Sequence, residues 1–311
     1  MAPVENAMAV HPDKDFTMTN LFPARWWHTD AAGAVCCELC PRHCRITEGA
    51  TGYCGVRRNQ GGVLYSLAYG HPVSVAIDPI EKKPLAHFLP HSRTLSFGTF
   101  GCNLGCVFCQ NYTLSRGTYE QDERENVIPC APQQIVESAL QHRCPSISYT
   151  YNEPTVFAEY VLDIARLARE AGLKNVLVSN GYISSAVAEE LYPWIDAANI
   201  DMKGFSESFY ATMCQASLAP VLQSLEMLKR LGVHLEITTL VIPGLNDSLD
   251  DLAAWLDWLE PRLGLDTPLH FSAYHPAYRC QIPPTPRETL YAIREAAVRR
   301  GFTAVQLGNI W

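Results

Sequence analysis

No run of about 18 consecutive apolar residues occurs in the chain, so no segment is built to span a bilayer as a helix. The opening stretch, MAPVENAMAVHPDKDF, lacks a basic segment followed by an apolar one. It does not read as a secretory leader, and a cytoplasmic location is expected. Positive charge is not in excess. Lys and Arg number 24 against 32 Asp and Glu, a net charge of −8. That balance argues against a broad face for nucleic acid. Internal repeats and low-complexity segments are also absent. Apolar residues are not scarce: they make up 48% of the 311 positions, enough for a packed core in one large domain, or in a large domain with a small one.

Cysteine is abundant, at twelve residues. A secreted disulfide scaffold is usually a small domain, and this chain is too long and too apolar for that class. In a reducing compartment, clustered cysteines point to metal or redox chemistry. Cys36, Cys37, Cys40, Cys44 and Cys54 form one group and Cys102, Cys106 and Cys109 another, while Cys130, Cys144, Cys214 and Cys280 are scattered.

Three regions differ in pattern. Residues 1–30 show little periodicity and read as a leader. Residues 31–92 read as a small cysteine-rich, metal-binding lobe followed by a connector. Pro72, Pro79, Pro84 and Pro90 argue against long helices in that connector. Within it, Lys82 and Lys83, with Glu81, are candidates for contact with a substrate or the cofactor, although a charge run among prolines more often forms a solvated face. From residue 93 to 311, short apolar runs alternate with stretches of helical spacing. Strands are predicted at 94–99, 146–151, 174–179, 196–202, 234–242 and 268–274, with a last one at 302–307. Helices are predicted at 132–142, 155–172, 184–194, 217–231, 248–261 and 286–300. In the second, Phe157, Val161, Ile164 and Ala168 share one face, and Gly172 supplies a stop. Such α/β alternation implies a parallel sheet with right-handed crossovers, as an open doubly wound sheet or as a barrel. In a barrel, chemistry sits after the carboxyl ends of the strands.

The segment Gly101-Cys102-Asn103-Leu104-Gly105-Cys106-Val107-Phe108-Cys109 follows the first of these strands. Its C-x3-C-x2-C spacing places three thiolates on one loop, one fewer than an ordinary iron–sulfur cube takes. A zinc site would ask for a fourth ligand nearby, and none is paired locally. Gly101 and Gly105 are expected to let the loop wrap a compact cluster, with Phe108 shielding it. The loop resembles the signature of the radical S-adenosylmethionine (SAM) enzymes. That resemblance implies a partial (β/α)6 TIM-type barrel and a [4Fe–4S] cluster on Cys102, Cys106 and Cys109. It also implies that SAM chelates the open iron and is reductively cleaved to a 5′-deoxyadenosyl radical.

Later strand ends carry further matches. Tyr151-Asn152-Glu153 stands where the family often has Gly-Gly-Glu, which implies cofactor contacts for Asn152 and Glu153. The run Glu153-Pro154 also suits a helix start. Ser179-Asn180-Gly181 resembles the Thr-Asn-Gly of the pyruvate formate-lyase activating enzyme branch, and Asp201-Met202-Lys203 its Asp-Leu-Lys. Ser179, Asn180, Asp201 and Lys203 are therefore expected to face the cofactor. The run 241–247 resembles the glycine-containing turn beside the adenine. His275, after the last of the six strands, is a further candidate for the cofactor or the substrate.

The first group has the spacing C-x2-C-x3-C-x9-C over Cys37, Cys40, Cys44 and Cys54. Four thiolates complete a site without an exchangeable ligand. An auxiliary [4Fe–4S] cluster and a structural zinc both fit that count. The motifs Cys-x-Leu-Cys-Pro-Arg-x-Cys, Gly-Tyr-Cys-Gly-Val-Arg and Asp78-Pro-Ile-Glu-Lys-Lys-Pro-Leu resemble the radical SAM enzymes of the AmmeMemoRadiSam system. Those are expected to carry a cysteine pair after the Gly-Asn of the last strand. This chain stops at Gly308-Asn309-Ile310-Trp311. The expected function is radical SAM chemistry on a small-molecule or protein-residue substrate, with an electron donor such as flavodoxin or ferredoxin. Activation of a glycyl-radical enzyme is the alternative, although a lobe ahead of the barrel counts against a minimal activase. A reading from another class is an iron–sulfur or zinc scaffold or electron-transfer protein that uses no SAM. Such a protein would not need Glu153 or the polar strand ends.

Overall fold

A computed structural model describes residues 21–119 and 127–310. Residues 1–20 of the expected leader lie outside the described residues. The rest of that stretch contributes two short strands. Strands β1 (Phe22–Pro23) and β2 (Trp27–Thr29) belong to the lobe, which holds two antiparallel three-stranded sheets. In one, β1 pairs with β6 (Val63–Ser66), which pairs with β5 (Arg57–Gln60). In the other, β2 pairs with β3 (Val35–Cys37), which pairs with β4 (Arg45–Ile46). These strands are too short to carry periodicity, which is why the sequence pattern does not reveal them.

The main sheet has eight strands. It runs from β7 (Ser74–Pro79) through β8 (Arg93–Gly98), β9 (Ser146–Tyr149), β10 (Lys174–Ser179), β11 (Ala197–Asp201), β12 (His234–Val241) and β13 (Leu269–Ala273) to β14 (Val305–Gly308). All neighbours from β8 to β14 are parallel, and β7 adds to the edge antiparallel. The connector therefore contributes a strand to the barrel sheet. Crossover helices are α1 (Pro132–Gln141), α2 (Ala158–Glu170), α3 (Ser185–Leu191), α4 (Ala219–Arg230), α5 (Leu249–Leu263) and α6 (Arg287–Arg300). This is the expected α/β fold, a partial TIM-type barrel. Local chemistry sets the helix ends. Ser248 caps α5 by accepting from Asp251 N at 3.3 Å. Gly301, at φ +110°, closes α6 in a conformation that side chains disfavour.

Between sheet and helices, Phe97, Tyr149, Phe157 and Tyr160 are fully buried and pack edge-to-face or tilted. Truncating such a ring to alanine costs about 3–5 kcal/mol. A second, smaller cluster lies on the other face of the sheet. There Ile80 and Leu85 of the connector pack with Val176 of β10 and Ala197 of β11. Asn199 Nδ2 donates to Pro84 O at 2.8 Å, and the Glu236 carboxylate accepts from Ala86 N and His87 N at 3.0 and 2.8 Å. The segment 80–87 thus plugs one end of the barrel. Burial pushes the Glu236 carboxyl up, but the donors His234, His270, His87 and Ala86 outweigh it and hold the group down at about 2.

Among the described residues, no helix is long and apolar enough to cross a membrane.

Candidate active site

The loop after β8 carries Cys102, Cys106 and Cys109 to a cavity of ≈ 510 Å³ at the carboxyl ends of the strands, and all three line it. Backbone bonds fix the loop against a helical turn at 207–214: Gly105 N donates to Cys214 O at 2.8 Å and Val107 N to Met213 O at 3.0 Å. Leu104 N and Asn180 Nδ2 approach Cys102 Sγ at 3.4 and 3.7 Å. Cys109 Sγ lies 3.5 Å from Ser115 Oγ. Phe108 is buried and packs on Phe209. Burial pushes the Cys102 thiol well up, with Glu153 adding to it, and contact with Cys214 together with burial does the same to Cys106.

Glu153 lines the same cavity from the end of β9 and is 1% exposed. Its Oε1 accepts from Thr155 N, Thr155 Oγ1 and Ser179 Oγ at 2.7–2.9 Å, and its Oε2 from Asn180 N at 2.8 Å. Burial raises its pKa despite these donors. The helix-start role and a place in the cavity coexist, since the same carboxylate caps the turn Pro154–Phe157. Ser179 is not among the lining residues and acts on Glu153, while Asn180 does line the cavity. Asn152 lines the cavity too, but its amide is spent on the loop. It accepts from Thr99 N at 3.0 Å and donates to Gly101 O at 2.8 Å. Tyr151, preceding it, adopts a left-handed φ of +70°. Such strain costs on the order of 1–3 kcal/mol and clusters at functional sites.

Asp201 and Lys203 line the cavity from β11 as an ion pair, Lys203 Nζ to Asp201 Oδ2 at 2.8 Å. Burial works against the Lys203 charge, but Asp201 and Cys106 outweigh it and lift the ammonium pKa. Thr238 also lines the cavity. Its Oγ1 is buried and has no hydrogen-bond partner among the described residues. No motif marks it, but parallel register sets Thr238 beside Asp201, so strand alignment was the available signal. His275 is not among the lining residues, and neither is the turn 241–247. The side chain of Asn246 is occupied in bracing that turn, with Oδ1 accepting from Ile242 N at 2.6 Å. His275 follows β13 by two residues, and its Nε2 is buried with no hydrogen-bond partner among the described residues.

The lobe presents a second, small pocket lined by Cys37, Cys40, Cys44 and Cys54, with Arg57 and Asn103 at its edge. Cys36 and His43 are not among the lining residues. Burial pushes Cys40 up to about 12 and Cys54 to about 11, and it raises Cys37 against the nearby Arg57 charge. Arg57 is buried against Glu159 of α2, with Nη1 reaching both carboxylate oxygens at 2.9 and 3.1 Å, and ties the lobe to the barrel. The two cysteine regions share a wall. Asn103 lines the lobe pocket, while its neighbours Cys102 and Leu104 line the cavity. Arg42 donates to Asn103 O, and Asn180 Nδ2 to Asn103 Oδ1 at 2.9 Å.

The structure gives the loop glycines a reason different from wrapping a cluster. A Cβ on Gly101, at φ +91°, would lie 2.5 Å from Cys54 O, and one on Gly105 would collide with the Tyr53 hydroxyl. They admit the lobe.

Both thiol sets suit metal. Burial penalises an isolated thiolate, and a bound cation reverses that penalty. Among the described residues, no three His, Cys, Asp or Glu side chains converge on one ion position. A cube does not require such convergence, because each thiolate takes a different iron. The unpartnered Thr238 hydroxyl, the buried Glu153 and the Asp201–Lys203 pair give the cavity the polar contacts that a zwitterionic nucleoside would use.

Comparison with known proteins decides the family. The sequence profile described as the radical SAM superfamily matches residues 97–256. The chain belongs to the radical SAM superfamily. It is therefore an enzyme of radical chemistry, in a superfamily that binds a [4Fe–4S] cluster and SAM. An uncharacterized protein of Methanocaldococcus jannaschii is 46% identical over 280 residues, 89% of this chain and 81% of the relative. A protein of the same organism with the provisional name of glycyl-radical enzyme activating enzyme is 26% identical over 165 residues, 52% of this chain and 60% of the relative. Among solved structures, a radical SAM methyltransferase from Sphaerobacter thermophilus superposes with a TM-score of 0.54 at 15% identity, covering 72% of this chain and 68% of that one. Streptococcus suis SuiB bound to its precursor peptide SuiA gives 0.54 at 12% identity, covering 69% and 48%. At these identities the structural likeness speaks for the radical SAM fold alone.

Proposed function

We propose that the cavity is a radical chamber in which Cys102, Cys106 and Cys109 hold the [4Fe–4S] cluster and Glu153, Asn180, Asp201 and Lys203 hold SAM. One observation carries this reading: four successive strand ends deliver three thiols, a buried carboxyl, an amide and an ion pair to one cavity of ≈ 510 Å³. When bound, cluster and SAM supply a 5′-deoxyadenosyl radical that removes hydrogen from a substrate. The chain's own work is placement and exclusion of water. Ser179 and Thr155 hold the Glu153 carboxylate so that it can accept from an ammonium, as a group fixed by several donors does without reorganising. Lys203, steadied by Asp201, meets a carboxylate. Thr238 offers its hydroxyl to a neighbouring polar group. Phe108 keeps the cluster side dry. Asn152 and Ser179 act as positioning residues, the first on the loop and the second on Glu153.

The lobe is read as a second metal site, a [4Fe–4S] cluster or a zinc. Its pocket shares the loop wall with the cavity but no lining residue. For a cluster, that separation favours passing an electron through the wall over touching the substrate, and for a redox-inert zinc it favours a structural role. Hydrogen abstraction from a glycine of a partner protein is the second reading, favoured by the name of the more distant archaeal relative.

Anaerobic reconstitution, reduction and addition of SAM test the first reading by chromatography of the products. 5′-Deoxyadenosine is expected. Its absence from iron-loaded, reduced protein overturns the reading.

A further inference from the structure

We propose that Lys82 and Lys83 form an anion-binding subsite on the cavity floor that holds a carboxylate or phosphate of the substrate. This inference rests on the reading of the cavity as a radical chamber. Both lysines and Pro84 line that cavity together with the three loop cysteines. They stand on the barrel plug, which Ile80, Leu85, Asn199 and Glu236 anchor, so the floor is rigid. Asp78 of β7 holds the two ammonium groups side by side, Oδ1 on Lys82 Nζ at 2.7 Å and Oδ2 on Lys83 Nζ at 2.6 Å. Tyr151 donates to the same carboxylate and places its ring 4.4 Å from Lys83 Nζ.

Charge is not balanced around Asp78. One lysine neutralises Asp78. The Lys83 side chain, 1% exposed, suffices for a structural ion pair. Lys82 then adds a surplus positive charge, and its side chain is 54% exposed. Each ammonium has three N–H donors, and Asp78 accepts one from each. A second anion can bridge the pair with charge-assisted bonds. Among the lining residues the other cationic spot is the Asp201–Lys203 pair, and the proposed function assigns that one to the SAM carboxylate. The subsite is also tied to the cysteine loop, because Asn111 Nδ2 donates to Tyr151 O at 2.8 Å. An anion held here would set the rest of a small molecule at a fixed distance from the cluster.

The test is calorimetric titration of the reconstituted protein, at ionic strength held constant with KCl, with inorganic phosphate and separately with succinate, with and without saturating SAM. Saturable binding of one equivalent in the presence of SAM is expected, weakened about tenfold or more in Lys82→Gln. Binding of phosphate alone assigns a phosphoryl group, and binding of succinate alone a carboxylate. Lys83→Met is a second variant, read only where circular dichroism shows it folded. No saturable binding, equal affinity in Lys82→Gln, or displacement of the anion by SAM overturns the proposal. SAM cleavage measured on the same wild-type sample keeps the two readings apart. Cleavage without anion binding removes the subsite alone, whereas absence of cleavage removes the chamber.

Discussion

The chain holds two cysteine regions separated by a single wall, and they differ in what surrounds the sulfur. In the lobe, four thiols line a small pocket whose two charged neighbours are already engaged, Arg42 with Asn103 O and Gln215 O and Arg57 with Glu159. At the barrel, three thiols face ≈ 510 Å³ together with a carboxyl, an ion pair and an unpartnered hydroxyl. The first set has the four thiols that the proposed second metal site would use. The second has three thiols and opens on a roomier cavity lined by polar and charged groups. The difference teaches that what the thiols face matters as well as their number: on the proposed reading, a closed set serves stability or electron passage, and an open set serves a ligand.

The largest effect expected is from removing the open set. Cys102→Ala, Cys106→Ala and Cys109→Ala together should lower 5′-deoxyadenosine formation by about a thousandfold or more, a barrier change of roughly 4 kcal/mol. The same change in Cys37, Cys40, Cys44 and Cys54 should leave SAM binding in place while lowering the metal content. Next is the joint between the regions. Arg57→Met leaves Glu159 buried without its cation, which typically costs about 3–5 kcal/mol. Urea midpoints should show it, and a loss below about 1 kcal/mol would mean that the lobe is held by other contacts.

Acid acts on the cavity side through its floor. Glu236 is held at about 2 in the folded protein against an ordinary 4.5, so it prefers ionisation when folded. Its contribution is complete above pH 4.5 and fades as the pH falls towards 2, by about 3 kcal/mol at the order-of-magnitude level. Urea titrations at pH 6, 4 and 3 should show the decline, and Glu236→Gln should flatten it. The smallest effect is at the cofactor end. Glu153→Gln keeps shape but loses charge, and should weaken SAM binding by roughly 1.5–3 kcal/mol, or about ten- to a hundredfold.

The barrel was legible because each parallel strand is a short apolar run followed by a helix of 3.6-residue spacing, as in Lys174–Ser179 and Ala158–Glu170. The open cysteine loop was legible from its spacing and its place after β8. What escaped notice depends on packing between distant segments. In the sequence Lys82 and Lys83 are candidates for a substrate or cofactor contact, with a solvated run among prolines the preferred reading, whereas the connector turns back onto the sheet and Lys83 is 1% exposed. Gly101 and Gly105 looked like room for a cluster, but the lobe needs that room. Asn152 resembled a cofactor contact, and its amide holds the cysteine loop instead. Thr238 carries no motif, and only the register of β11 and β12 brings it to the site.

The contrast between an open and a closed thiol set is tested most directly by electron paramagnetic resonance of the reduced, reconstituted protein before and after SAM is added. Two variants are compared, one lacking the three cavity thiols and one lacking the four lobe thiols. The account predicts that SAM alters the signal only where Cys102, Cys106 and Cys109 remain. A SAM-dependent change that persists without them, or that vanishes with the lobe thiols, would contradict it.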